Sequence, residues 1–220
     1  MRWLILFAIF CALVFGDASN STDINSGTIT TDGTWTAVWT KSADKTSITF
    51  NITAQTTGWV GIGFNSVGLM GGADITTSWI TNNAVTIFDA YATMEAQPQP
   101  DTKSGGSNDV SAVSGSESAT STTVVFTRPM AATDKNDNAI QGKIYVLWAW
   151  GTQDGVGDAS SPQFPQHERY GSVQINFGTR NNATVVGSSG TSGGQRGTAG
   201  KTLTVGWMLI FCLVAGISTM

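Results

Sequence analysis

Cysteine is almost missing from this chain. Of 220 residues only Cys11 and Cys212 are cysteine, and each lies in an apolar run at one end. The stretch between them therefore holds no disulfide and no thiolate metal site. Histidine is as scarce, since His167 stands alone. A catalytic zinc site normally takes two or three His or Cys ligands, so zinc hydrolysis is disfavoured. A catalytic triad would have to be built around His167, and no serine sits in a setting that suggests activation. Charge is sparse as well: charged residues make up 12% of the chain, with a formal net charge of −4. No basic stripe is present to neutralise phosphates, which argues against a nucleic-acid partner. Between the apolar ends, a convincing 3.6-residue periodicity is also missing.

The ends read as addresses. In residues 1–18 one basic residue, Arg2, precedes an apolar run from Trp3 to Phe15, followed by small residues. This is the pattern of a secretory signal peptide, and the run is too short to span a bilayer comfortably. Residues 181–202 form a Gly/Ser-rich linker, and residues 203–220 are an apolar tail with no charge after it. Small residues, a polar spacer and a terminal apolar tail are the pattern of a lipid (GPI) attachment signal, with Ser192 or Ser188 as the attachment residue. The expectation is a protein carried through the secretory pathway to the outer face of the plasma membrane and anchored there by lipid. Three glycosylation sequons, at Asn20, Asn51 and Asn182, agree with secretion.

Residues 19–180, between these signals, read as one β domain. Trp35-Thr36-Ala37-Val38-Trp39 and Ile48-Thr49-Phe50-Asn51-Ile52 alternate apolar and polar residues, the period of a strand buried on one face. Further runs at 58–64, 75–80, 85–91, 122–126, 144–150 and 172–177 bring the expectation to eight or nine short strands. Ser42-Ala43-Asp44 and Thr81-Asn82-Asn83 mark turns. The run Ile144-Tyr145-Val146-Leu147-Trp148-Ala149-Trp150 is apolar on both faces and suits a central strand. Residues 97–118 read as a long surface connection with one weak strand near 110–113. The fold class is all-β, an antiparallel, immunoglobulin-like β-sandwich.

Two motifs imitate chemistry. Asp134-Lys135-Asn136-Asp137-Asn138 opens like a calcium loop, but Ala139 stands where the EF-hand needs glycine and Tyr145 where it needs glutamate. It reads as a solvated turn. Gly190-Thr191-Ser192-Gly193-Gly194 matches a nucleophile elbow, yet no strand or helix is expected around it.

What remains is a pairing at long range. Met70 lies in the loop Gly68-Leu69-Met70-Gly71-Gly72-Ala73-Asp74, far in sequence from His167. A thioether and an imidazole can together fill both axial positions of a haem iron, which suits electron transfer. A methionine filling the core and a histidine on the surface are the alternative at this point.

Five segments carry a family resemblance. They are Gly58-Trp59-Val60-Gly61-Ile62-Gly63-Phe64-Asn65, Met70-Gly71-Gly72-Ala73-Asp74-Ile75, Phe126-Thr127-Arg128-Pro129-Met130, Leu147-Trp148-Ala149-Trp150-Gly151, and His167 before Gly171. Together they resemble the DOMON family, and within it the cytochrome branch that includes the haem domain of cellobiose dehydrogenase and plant GPI-anchored DOMON cytochromes. The resemblance spans about residues 30–178. It implies a DOMON-type sandwich holding non-covalent haem b, with Met70 and His167 as the axial iron ligands and Met130 as packing. It also implies a single-electron carrier without a catalytic centre of its own. Separate redox donor and acceptor proteins, or an ascorbate-like small reductant, would be its partners. Arg169, Tyr170 and Lys143 are candidates for the haem propionates. The other reading within the family is a haem-free module that binds carbohydrate or another small ligand, with Trp59, Trp79 and Trp150 as contacts.

Overall fold

A computed structural model describes residues 24–178 and the backbone of residues 188–191. The expected signal peptide, the apolar tail, Asn20, Asn182 and Ser192 lie outside the described residues. Among the described residues, twelve antiparallel strands form two sheets. The smaller sheet contains β1 (Ser26–Thr30), β2 (Trp35–Lys41), β3 (Ser47–Ala54), β8 (Ser111–Glu117) and β9 (Thr122–Pro129), in the order β1-β2-β3-β9-β8. The larger contains β4 (Val60–Asn65), β5 (Ala73–Thr81), β6 (Ala84–Ala92), β7 (Gln99–Pro100), β10 (Lys143–Trp150), β11 (Arg169–Asn176) and β12 (Ser188–Thr191). Its order is β12-β11-β10-β4-β5-β6-β7.

The alternation read from the sequence is the alternation that buries the core. Trp35, Ala37 and Trp39 of β2 and Ile48, Phe50 and Ile52 of β3 point between the sheets, as do Val124 and Phe126 of β9. They meet Val60, Ile62 and Phe64 of β4 and Ile144, Val146, Trp148 and Trp150 of β10. Aromatic rings carry the contact: Phe50 lies 5.5 Å from Phe64 and 5.6 Å from Phe126, and Trp35 lies 6.2 Å from Trp148. Such pairs stabilise a core beyond the area they bury. The central position expected for the 144–150 run holds, because β10 pairs with β4 on one side and β11 on the other.

Asn82 and Asn83 form the two-residue β5–β6 hairpin with both φ angles positive, the geometry whose twist suits a hairpin. The sandwich has more strands than expected because β1, β7 and β12 are too short to show a period. The connection over 97–118 is more ordered than expected. It contains β7, the single 3-10 turn Asp101–Ser104, and β8 at the sheet edge. Every residue of β8 is exposed, which is why its pattern is so faint.

Candidate functional site

On its outer face strand β4 contributes no side chain before Asn65. Val60, Ile62 and Phe64 turn inward, so Gly61 and Gly63 turn outward. Across the ladders Gly61 lies between Ala149 of β10 and Thr77 of β5, and Gly63 between Leu147 and Ile75. A Cβ at Gly63 would lie 3.1 Å from Ile75 Cγ1 and 3.4 Å from Leu147 Cβ. At Gly61 the Trp59 ring already lies over the strand, 3.3 Å from an added Cβ, and buried Thr77 flanks it; at Gly63 the flanks are the half-buried apolar Ile75 and Leu147. Around Gly63 a bound group can approach the backbone closely, where a larger side chain would stand in its way.

Met70 stands at one end of this strip, in the loop that joins β4 to β5. Asn65 Nδ2 donates to the carbonyls of Leu69 (2.7 Å) and Gly71 (3.0 Å), tying the loop to the end of β4. Asn138 Nδ2 donates to the carbonyls of Gly72 and Phe64, both at 3.0 Å. Gly68 and Gly72 have φ of 64° and 82°, a left-handed backbone that glycine adopts without strain. Gly68 also lies against Tyr145, on the outer side of β10, where a Cβ would come within 2.7 Å of the ring. The loop carries an apolar rim, since Val67, Leu69 and the neighbouring Met94 are 58–64% exposed. Below it, Asp74 receives two hydrogen bonds from Arg128 of β9, at 2.8 and 2.6 Å. Two of the segments behind the family resemblance thus meet as a buried ion pair.

His167 stands at the other end, in the segment that leads from β10 to β11. Phe164 fastens this segment to the outer face by packing on Trp59 (5.1 Å), Phe88 (5.9 Å) and Trp79 (6.4 Å). Trp59 Nε1 donates to the Pro165 carbonyl at 3.0 Å, and the Glu168 N–H to the Trp150 carbonyl at 2.9 Å. The imidazole lies 4.4 Å from the ring of Tyr170, on the outer side of β11. Burial lowers its pKa below the ordinary histidine value. A neutral imidazole keeps a lone pair for a metal.

The structure therefore sets Met70 and His167 at the two ends of one six-residue strand, about 17 Å of β-structure at 3.3 Å per residue. The residue types, one thioether and one imidazole flanking the stretch around Gly63, fit a haem held by one of each. The outward glycines and Phe164 were missed by sequence reasoning, although the alternation Gly61-x-Gly63 was there to be read. Met130 packs against the core, as expected. Of the propionate candidates, Arg169 is engaged by Asp32, Tyr170 lies beside His167, and Lys143 is at the far end of β10. Trp59, Trp79 and Trp150 are 1–7% exposed and belong to packed clusters. They offer no open ring face on which a sugar could stack.

Comparison with known proteins agrees with this architecture. Residues 31–151 match the DOMON domain family. MOXD1 homolog 2 of Drosophila melanogaster is 33% identical over 109 residues, which is 49% of this chain and 14% of that protein. DBH-like monooxygenase protein 2 of Mus musculus is 32% identical over 118 residues, 53% of this chain and 18% of its own length. The chain thus spans less than a fifth of these two relatives. Among solved structures, the cytochrome domain of cellobiose dehydrogenase from Myriococcum thermophilum superposes with a TM-score of 0.56 at 16% identity. The match covers 70% of this chain and 82% of that one. The cytochrome b domain of pyranose dehydrogenase from Coprinopsis cinerea gives 0.53 at 16% identity, covering 66% and 77%. With the match spanning most of the sandwich, the chain belongs to the DOMON domain family, and its fold is shared with cytochrome b domains.

Proposed function

We propose that this protein is a b-type cytochrome of the cell surface, binding one haem over the outer face of β4 and passing single electrons. The observation that carries the reading is the fold shared with two cytochrome b domains, in a chain that has Met70 in the β4–β5 loop and His167 just before β11. Bound there, haem supplies a reversible one-electron change at iron, and a methionine ligand favours its reduced state. The protein's own part is to hold and shelter. His167 offers a neutral imidazole positioned by Phe164 and Tyr170, and Met70 offers a thioether from a loop pinned by Asn65 and Asn138. Ile75, Leu147 and Ala149 form the apolar walls that exclude water. Were Met70 and His167 both to hold the haem, its chemistry would be electron transfer to separate partners, an ascorbate-like reductant or a redox protein, with no catalytic centre in this chain. The signal peptide, the lipid anchor at Ser192 or Ser188 and the sequons belong to the same proposal. Asn51 supports it by lying exposed on the outer side of the smaller sheet.

The test is the visible spectrum of the full chain, oxidised and then reduced with dithionite, after expression with haem supplied. Sharp α and β bands on reduction are expected, with haem retention largely lost in His167→Ala. Met70→Ala should keep the fold and give a five-coordinate, high-spin iron or a lower potential. Met94→Ala, which removes the exposed methionine beside the loop, should leave the spectrum unchanged. No Soret absorbance above that of free haem would overturn the proposal. A spectrum that survives Met70→Ala and changes with Met94→Ala would move the ligand to Met94.

A further inference from the structure

Six aspartates gather around Arg128 at the end of the sandwich that carries the Met70 loop, and three of them lack a counter-charge. Asp74 is paired with Arg128 and also accepts the Asn138 N–H at 2.8 Å. Burial, with the Asp109 carboxyl beside it, pushes the Asp89 carboxyl up to about 10, so that it holds a proton at neutral pH. Asp101, Asp134 and Asp137 are left, and one carboxylate oxygen from each lies within 4.8 Å of the others.

Asp101 is the residue that turns this cluster into a site. It is 0% exposed, and neither of its carboxylate oxygens has a hydrogen-bond partner. The inner oxygen of Asp137, Oδ1, is also buried without a partner, while its Oδ2 accepts from the Thr133 and Asp134 N–H groups. Asp134 is aimed by two backbone donors, the N–H groups of Ser107 (2.7 Å) and Asn136 (2.8 Å). A buried carboxylate with nothing to bind costs several kcal/mol or takes up a proton. Asp101, buried and unpartnered, converges with the half-buried Asp134 and Asp137 on one point, and the three describe the cage of a hard cation.

We propose that Asp101, Asp134 and Asp137 bind a calcium ion. All three ligands are carboxylate oxygens, which suit calcium or magnesium over the softer transition metals. They come from an irregular turn and a 3-10 turn, and calcium tolerates such irregular geometry where magnesium requires a near-ideal octahedron. The turn at 134–138 does not make an EF-hand, and it does not need to. Asp101 arrives from the other side of β8 and β9 to complete it. The ion fastens the 101–109 segment to the 133–138 turn, whose last residue, Asn138, holds the Met70 loop. The site is independent of haem and is tested without it.

The experiment is calcium titration calorimetry, with thermal melting, on the full chain stripped by EDTA. The expected result is one calcium per chain, a higher melting temperature with calcium, and a smaller or absent rise with magnesium. D101N should weaken binding by more than the roughly 10–100-fold that loss of an outer-shell partner costs. In EDTA it should melt above the wild type, because an amide removes a buried charge. If D101N does not fold, D134N, in the exposed turn region, carries the same expectation for binding. Absence of calcium binding in the wild type, or wild-type binding in D101N and D134N, would overturn the proposal. So would binding lost in D89N and kept in D101N, since that places the ion among Asp74, Asp89 and Asp137.

Discussion

Arg128 enters the space between the sheets with its guanidinium against Asp74 and 5.2 Å from the ring of Phe64. Burial alone would pull its pKa down. The charge and hydrogen bonds of Asp74, with the charge of Asp109 behind it, more than offset this and hold it charged. Arg128→Met should destabilise the fold by about 3–5 kcal/mol, because Asp74 would stay buried without its partner. Urea denaturation with an unchanged m-value is the check. Adding Asp74→Leu should recover only part of the loss. The Asn138 N–H, which donates to Asp74, would then be left unmet. At the same scale, Gly63→Val should abolish haem uptake while costing about 1–3 kcal/mol of stability, the usual range for overpacking. A variant that folded and still gave the wild-type reduced spectrum would remove the haem from the face of β4.

At the scale of elements, the Met70 loop separates two uses of glycine. At Gly72 the nearest atom to an added Cβ is 3.8 Å away, so only the left-handed backbone matters, and Gly72→Ala should cost about 1–2 kcal/mol. At Gly68 the same strain is joined by a clash with Tyr145 at 2.7 Å. Gly68→Ala should therefore cost more than Gly72→Ala and shift the spectrum of the bound haem, since it moves the loop that carries Met70. Equal losses in the two variants would count against the Tyr145 contact. The legibility of the elements follows the same physics. β2, β3 and β9 were readable because a half-buried strand writes its burial into every second residue. β10 was readable because it is apolar on both faces. β1, β7 and β12 have two to five residues, too few for a period, and β8 buries nothing that would mark it.

For the whole molecule, the acidic cluster sets the dependence of stability on pH. Burial, and then the charges of Asp134, Asp74, Asp137 and Asp109, push the Asp101 carboxyl up to about 7 from 3.8. Asp89 is pushed up to about 10. Between the unfolded and folded values the native state holds protons that the unfolded chain has released, so raising the pH favours unfolding. In EDTA, stability should fall from about pH 4 to pH 7 through Asp101 and continue to fall toward pH 10 through Asp89. Asp32, Asp44, Asp109 and Asp158 are held below their ordinary value, and their contribution is lost only as the pH falls through the acid range below 3.8. Calcium should flatten the part of the curve due to Asp101 and leave that of Asp89. Melting temperatures across this range, with and without calcium, check both. A chelated protein whose stability did not fall between pH 4 and 7 would count against a buried, unpartnered Asp101.

The sequence by itself determined the class of fold, the strands that build the core, the membership in the DOMON family and the pair of residues singled out for haem. The fold class and the core strands are properties of local period and residue type, which a chain carries along its length; the family and the haem pair rest on the resemblance of five segments to the DOMON family. Only the tertiary structure decided what lies between and around them. Pairing of β4 with β5 and β10 sets two alternating glycines between Ile75, Thr77, Leu147 and Ala149, and the β10–β11 connection carries His167 to the end of β4 opposite Met70. The same pairing buries the tryptophans that had suggested sugar contacts. It also brings Asp101 to a turn that fails as a calcium loop on its own. Oxygens that converge on an ion from distant segments leave no spacing to read, because their distance is set by the sheets and not by the chain.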